Sequence, residues 1–292
     1  MNQPVEIHEG PMGQDEFING FVVPGKPVLL KGAIKSFHAF DAWDMDYFRA
    51  LDNSKELNVK YGNVGDGQVK TMDIKSYVDL LDEFERSQGK TALPPYLHDV
   101  AIFNTFPELV HDIPDDIKNY FSAYYEERWW SYMQFFMSVT GHVTPLHFDT
   151  LMTNNTFFQV KGKKRFILIP WDQRESCYMK GWRWAEVNPS KPDLDKHRKF
   201  SQVEPQIVEI EGGDILFMPS GMLHQVETLS LSISFNIDWH SNKSVSRGLG
   251  SFVYGAPWKN IYYNMLIYMG LRFKVPEKVI YKYYRSYLGY IS

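Results

Sequence analysis

Cysteine is almost missing from this chain: Cys177 is the only one in 292 residues. No disulfide can close within it, and such usage points to a reducing compartment. A basic excess is missing as well. The formal net charge is −4, whereas general nucleic-acid binders carry a strong positive balance, so no nucleic-acid partner is expected. No apolar run reaches the ~20 residues that cross a bilayer. The opening MNQPVEIHEG has no basic stretch followed by an apolar one, so no signal peptide is expected. Internal repeats and low-complexity linkers are also lacking. Together these absences predict a cytoplasmic protein.

What is present is apolar and aromatic. Hydrophobic residues make up 44% and aromatic residues 16%, enough for one large core with appendages and too much for a disordered chain. Residues 1–93 read as a mixed α/β region. "KPVLLKG" (26–32) is a short strand ended by glycine, while "DAWDMDYFRALDN" (41–53) and "MDIKSYVDLLDEFERS" (72–87) space their apolar residues as helices do. Residues 94–245 change texture to short apolar runs broken by Gly, Pro and Asn: "WWSYMQFFMSV", "NTFFQVKG", "KRFILIP", "PQIVEIEGGDILFMPSG" and "LSISFNIDW". Strands at such turn-punctuated intervals predict an antiparallel barrel or jelly roll. Residues 172–203 are expected to be a long functional loop. Residues 246–292 return to helical texture.

The segment "TPLHFDTLMTNNTFFQVKGKKRF" (144–166) puts His147 and Asp149 two apart. On a strand both would project from one face, and an imidazole beside a carboxylate suits a divalent metal. The third ligand is expected from "GGDILFMPSGMLHQV", where His224 opens a strand after a Pro-Ser-Gly turn. Two histidines and one carboxylate make a facial triad with open coordination positions. A lone H-x-D is weak, and the other seven histidines (His8, His38, His98, His111, His142, His197 and His240) have no such setting. The order of features is what raises it. "NNTFFQVKGKKRFILIP" reads as a hairpin turning at Lys161-Gly162 that brings Lys164 back beside the first strand, and "GDILFMPSGMLHQV" and "SISFNIDWH" follow.

In that order the sequence resembles the Jumonji-C and asparaginyl-hydroxylase-like branch of the Fe(II)/2-oxoglutarate oxygenases. The resemblance implies a cupin-like double-stranded β-helix with an N-terminal α/β region and C-terminal helices. It also implies Fe(II), 2-oxoglutarate and O2 as cofactor and co-substrates. By it His147, Asp149 and His224 hold iron, and Lys164 pairs with the C5 carboxylate of 2-oxoglutarate. Thr144, Asn155 and Asn236 match positions that hydrogen-bond the co-substrate, and Tyr96 in "PPYLHD" matches a tyrosine reaching the same carboxylate. This chain has two more residues between Asp149 and the Phe pair than the asparaginyl hydroxylases. Asn154 and Asn155 are therefore alternatives, and Lys163 and Arg165 flank Lys164. The implied reaction is hydroxylation, with succinate and CO2 as co-products; demethylation is the same reaction on an N-methyl carbon.

The substrate has to be read from the periphery. Residues 258–292 hold eight tyrosines (Tyr262, Tyr263, Tyr268, Tyr281, Tyr283, Tyr284, Tyr287 and Tyr290) and six basic residues (Lys259, Arg272, Lys274, Lys278, Lys282 and Arg285) against one acid, Glu277. One reading is a packing or dimerisation element joining two copies of the chain. The other is a docking element on the anionic inner face of the cytoplasmic membrane, where tyrosine sits at headgroup level and each cation adds about 1 kcal/mol. With that tail the chain is similar to the bacterial Kdo hydroxylases, which oxidise C3 of 3-deoxy-D-manno-oct-2-ulosonic acid (Kdo) on lipid A precursors. A lipid-linked sugar is thus the expected substrate, met by Arg174, Lys180 and Arg183. The alternative is a protein or peptide hydroxylase gripping its substrate with Tyr178, Trp182 and Trp184. A non-catalytic cupin binding module is the third class, against which the triad and Lys164 argue.

Overall fold

The computed structural model describes residues 4–65 and 67–291, with side chains described as far as Tyr287. Two β-sheets face each other. The seven-stranded sheet runs in the order β1 (Glu6–Glu9), β2 (Val28–Lys31), β13 (Ile215–Met218), β8 (Asn154–Lys161), β15 (Ser232–Trp239), β6 (Met133–Ser138) and β5 (Leu97–Val100). The six-stranded sheet runs β10 (Met179–Lys180), β11 (Trp184–Ala185), β7 (Val143–His147), β14 (Leu223–Thr228), β9 (Lys163–Ile169) and β12 (Gln206–Glu211). A separate hairpin joins β3 (Glu56–Tyr61) and β4 (Gln68–Asp73).

The strands read as continuous apolar runs because both faces of both sheets are covered. In β8 Phe157 points between the sheets, where it packs with Phe136, Phe166, Leu168 and Leu216, while Phe158 packs outward with Phe135, Phe235 and the flanking helices. Ile169, on the far side of the second sheet, meets Phe148, Cys177 and Phe200 beneath residues 171–203. The helix Ile74–Arg86 starts at Asp73, whose side chain accepts from Ser76 N, and buries Tyr77, Val78 and Leu81. The stretch 41–53 forms two short helices, His38–Ala42 and Met45–Arg49, because Asp44 caps the second one and breaks the run. The N-terminal region is tied directly into the large sheet: β2 pairs with β13, and Asp214 Oδ1 accepts from Gly32 N at 2.8 Å.

Two expectations are corrected. Residues 161–163 do not form a hairpin. Strands β8 and β9 lie in different sheets, and Gly162 (φ +77°) is the corner where the chain crosses from one to the other. A Cβ there would sit 1.9 Å from Leu231 O, which is why only glycine can make so abrupt a corner. Residues 172–203 are not simply a loop, since β10 and β11 extend the six-stranded sheet and Trp184 pairs with His147.

The C-terminal segment is two helices, Trp258–Phe273 and Glu277–Ile291. Tyr263, Tyr284 and Tyr287 are buried, and Tyr268 and Tyr281 are packed against the core. Glu277 accepts from Tyr132 Oη at 2.6 Å, fastening the last helix to the body. The six cations are all exposed, and the side chain of Tyr290 lies outside the described residues. Trp258, Tyr262, Met265, Met269 and Phe273 form an exposed apolar stripe along one helix face. No helix among the described residues is long and apolar enough to cross a membrane.

Candidate active site

Between the sheets lies a pocket whose walls include all eight residues expected to hold iron or 2-oxoglutarate: His147, Asp149, His224, Lys164, Tyr96, Thr144, Asn155 and Asn236. Strand β7 ends at His147, and β14 places His224 directly opposite it, with ring centroids 4.3 Å apart. A register shift between His224 and Val226 bends β14 at this point, as bulges beside functional residues do. Asp149 follows the end of β7 by two residues, off the strand, where its carbonyl accepts from Met152 N at 2.8 Å and opens a turn. One ligand atom from each of His147, Asp149 and His224 lies within 4.8 Å of the other two.

Both imidazoles are oriented by their own backbone. His147 Nδ1 lies 2.7 Å from Pro145 O, and His224 Nδ1 lies 3.1 Å from Met222 O. With Nδ1 donating to a carbonyl, each Nε2 keeps its lone pair for a metal. Burial, with His224 and Arg183 alongside, holds the His147 imidazole well below its usual range, which keeps it neutral and fit to ligate. Asp149 Oδ2 accepts from Asn155 Nδ2 at 3.3 Å. The donor set fits a borderline divalent ion such as Fe(II).

Lys164 is the only cation of its cluster that turns inward. Lys163 pairs with Glu209 and Glu211, and Arg165 with Glu209 and Glu227, on the outer surface. Lys164 is 1% exposed, and its Nζ stands over the rings of Tyr96, Phe136 and Phe157. Its single hydrogen bond among the described residues goes to Tyr96 Oη at 3.2 Å. Burial pushes its ammonium down to about 7. A cation so poorly solvated is a strong receptor for a carboxylate. Two more buried atoms, Asn155 Oδ1 and Asn236 Oδ1, lack partners and line the same pocket. Thr144 Oγ1 lies 3.1 Å from His98 Nε2. Of the two asparagines left open by sequence, Asn155 faces this pocket, while Asn154 accepts from Ser220 N on the outer side.

Several pocket residues carried no signal in the sequence. His98, dismissed for its lack of context, stands in the wall, and neighbouring Asp99 holds φ +60°, a left-handed conformation rare outside glycine. Asp238 and Tyr287 complete the lining. Arg183 also reaches it, as the substrate reading expected, but Arg174 does not: it pairs with Glu175 and stacks on Trp171 and Tyr254. Tyr178 and Trp182 are engaged by His197 and Phe148, and Trp182 Nε1 donates to Thr150 O at 2.9 Å. Trp184 stacks against His147 at 4.8 Å. Asp99 and Arg183 are shared with an adjoining open cleft that also carries Lys60, Lys180 and the end of the helix Trp258–Phe273.

Comparison with known proteins gives a consistent picture. The model of the family described as "Cupin-like domain" matches residues 14–245. Human tRNA wybutosine-synthesizing protein 5 is 26% identical over 81% of this chain and 78% of its own length. The human bifunctional peptidase and (3S)-lysyl hydroxylase JMJD7 is 21% identical over 77% of this chain and 80% of its own. The chicken (Gallus gallus) 2-oxoglutarate and iron-dependent oxygenase JMJD4 is 28% identical over 52% of this chain and 37% of its own.

Proposed function

This chain belongs to the cupin-like domain family and is an Fe(II)- and 2-oxoglutarate-dependent oxygenase, and we propose that it hydroxylates C3 of a Kdo sugar on a lipid A precursor. In this reading His147, Asp149 and His224 hold the iron. Lys164 and Tyr96 take the C5 carboxylate of 2-oxoglutarate, while Thr144, Asn155 and Asn236 orient its other end. Bound iron supplies O2 activation driven by the decarboxylation of 2-oxoglutarate, leaving succinate, CO2 and one oxygen atom placed in a C–H bond. The chain's own work is to keep the imidazoles neutral and aimed, to hold the co-substrate by its far end, and to shield the pocket from water.

The observation that carries the substrate is an adjacency. The cleft that shares Asp99 and Arg183 with the pocket also bears Lys60 and Lys180 and is bordered by Pro257 and Asn260. At that border begins the exposed stripe of Trp258, Tyr262, Met265, Met269 and Phe273. An anionic headgroup could enter the cleft while its acyl chains stay in a membrane against the stripe. The protein-hydroxylase reading draws on the relative named a lysyl hydroxylase and on the carboxylates of Asp99 and Asp238 in the pocket, which suit a cationic side chain. The similarity to a tRNA wybutosine-synthesizing protein runs against the expectation of no nucleic-acid partner and adds tRNA to the assay.

The test is mass spectrometry of three substrates incubated with the iron-loaded enzyme and 2-oxoglutarate: a Kdo-bearing lipid A precursor, a cellular peptide pool and bulk tRNA. The reading expects one added oxygen on the Kdo residue. Oxygen added only to peptides or only to tRNA replaces it. Membrane attachment is tested separately. The protein is expected to sediment with anionic vesicles at ~0.1 M salt and to release at ~1 M, as the screening length falls from ~10 to ~3 Å. Sedimentation at neither salt returns the stripe to a protein contact.

Lys164 gives a pH prediction. Its ammonium lies near 7 in the free pocket, and a bound dicarboxylate favours the charged form, raising that value. Binding therefore takes up a proton above pH 7 and weakens as pH rises from there. The 2-oxoglutarate KM is expected to climb between pH 7 and 9, with proton uptake visible by calorimetry in buffers of different ionisation heat. Lys164→Ala is expected to raise the KM about ten- to a hundredfold, equivalent to roughly 1.5–3 kcal/mol, and to remove the proton uptake. A silent Lys164→Ala beside a damaging Arg165→Ala would move the anchor to Arg165.

A further inference from the structure

Two pocket residues have no task in holding iron or 2-oxoglutarate. Tyr287 comes from the last helix and is 2% exposed, with its ring packed against Tyr263 and Tyr284 at centroid distances of 5.2 and 5.4 Å. Its hydroxyl has no hydrogen-bond partner among the described residues, although the ring lines the same pocket as the metal cluster. Arg183 comes from the segment between β10 and β11. Its guanidinium lies 4.5 Å over the ring of Trp184 and makes no hydrogen bond or ion pair among the described residues. A buried tyrosine and a stacked arginine with their polar ends unspent are a receptor still lacking its ligand.

We propose that Arg183 and Tyr287 form an oxyanion subsite that positions the primary substrate by a carboxylate or phosphate beside the carbon to be hydroxylated. The inference rests on the oxygenase reading and deepens it. Guanidinium nitrogens only donate, whereas a tyrosine hydroxyl donates or accepts. The group that both can hold at once is an acceptor, and an anionic one satisfies the charge of Arg183 as well. Besides Asp149, two carboxylates line the same pocket. Asp99 is already matched, with Lys60 Nζ at 3.7 Å and His98 Nδ1 at 2.9 Å. Asp238 lies 3.5 Å from Asn236 Nδ2 and faces both Arg183 and Tyr287, but burial, with Asp149 and Asp99 alongside, holds its carboxyl well above the usual range and so towards the neutral form. Arg183 stands in the wall shared with the cleft, where Lys60 and Lys180 would draw an anion inward.

The last helix thereby becomes part of the active site rather than an accessory. Its position is secured at several points independent of the pocket: the Tyr132–Glu277 hydrogen bond, a 2.9 Å contact between Tyr263 Oη and Ser286 Oγ, and the burial of Ile280 and Tyr284. Asn260, on the preceding helix, donates to Thr150 O at 3.1 Å, in the loop that follows Asp149. Removing the Tyr287 hydroxyl alone should therefore leave the helix seated.

The experiment titrates full-length protein, loaded with Mn(II) and 2-oxoglutarate, with three small probes: free Kdo for a carboxylate, glucosamine 1-phosphate for a phosphate, and Nα-acetyl-lysine amide for a cation. At least one anionic probe is expected to bind, more tightly than the amine, and the better of the two names the group. Tyr287→Phe and Arg183→Gln are each expected to weaken that probe about tenfold, with Arg183→Lys recovering part of the loss. The 2-oxoglutarate affinity and unfolding temperature of Tyr287→Phe should stay at wild-type values, which a merely structural role would not predict. The proposal is overturned if the amine binds best, if no anionic probe binds, or if both variants bind as the wild type does. If the anionic probe behaves as expected while the lipid A precursor is not hydroxylated, the Kdo reading fails and the oxyanion subsite stands.

Discussion

His224→Ala and His147→Ala are each expected to abolish 2-oxoglutarate turnover while the protein stays folded. Each imidazole is one of three converging donors, and two remaining donors cannot hold a labile divalent ion against water in an open site. Loss of outer partners alone weakens metal sites about ten- to a hundredfold, so loss of a ligand should exceed that. The fold should tolerate the change because the hydrogen bonds of both rings go to carbonyls of their own segment, Pro145 and Met222, and no distant element depends on them. His240→Ala is the contrast. That ring is fully buried, pushed down to about 3 by its apolar surroundings, and bonded to Ser244 away from the cluster. It should lower stability and leave metal stoichiometry intact. Iron content and succinate release, measured on all three variants, check the assignment, and turnover surviving in His224→Ala would sink it.

Gly162→Ala is expected to be the most damaging single methyl in the chain. The residue holds φ +77°, and its added carbon would meet Leu231 O at 1.9 Å and Ser232 Cα at 2.9 Å. Both neighbours are backbone, Leu231 just before β15 and Ser232 its first residue, and cannot swing away as a side chain can. A left-handed alanine alone costs roughly 1–2 kcal/mol, and the clash adds to it, so a loss of about 3 kcal/mol or more is expected. For a chain of this length that lowers Tm by roughly 5 °C or more. Lys164 follows the corner by two residues, so 2-oxoglutarate affinity should fall as well. Gly20→Ala, where an added carbon meets nothing within 4 Å, serves as the control and should change little. A Gly162→Ala protein as stable as the Gly20→Ala protein would mean that the corner can relax.

The strands and the His147, Asp149 and His224 cluster were legible in the sequence because each leaves a local mark. Apolar runs between Gly and Pro turns marked β6, β8, β9, β13 and β15, and the order of His147, Asp149, Lys164 and His224 along them placed the cluster. Which sheet each strand joins was not legible. A tight turn between two apolar runs reads the same whether the chain folds back beside itself or crosses to the facing sheet, so the sequence around Gly162 reads as a hairpin. The rest of the pocket depends on pairings distant in sequence. His98 meets Thr144, Trp184 meets His147, and Tyr287 reaches the metal cluster from a helix 63 residues after His224, and no short pattern encodes such meetings. The tyrosines of the last two helices were ambiguous for a related reason. Aromatic and basic residues mark an interfacial helix and a helix packed on an aromatic core equally well, until burial separates the two sets.

The pocket draws on two kinds of supplier. His147, His224, Lys164, Asn155 and Asn236 are carried by strands whose partners lie on both sides within the sheets, so a shift in any one would disturb several others. Arg183 and Tyr287 arrive from outside that lattice, on the segment between β9 and β12 and on the terminal helix, each hung from the barrel by a few contacts. The residues around the metal cluster and the two proposed to grip the substrate therefore sit on separate parts of the chain. A lineage can exchange either outer segment, and with it the molecule it accepts, without reopening the part of the barrel where oxygen is handled.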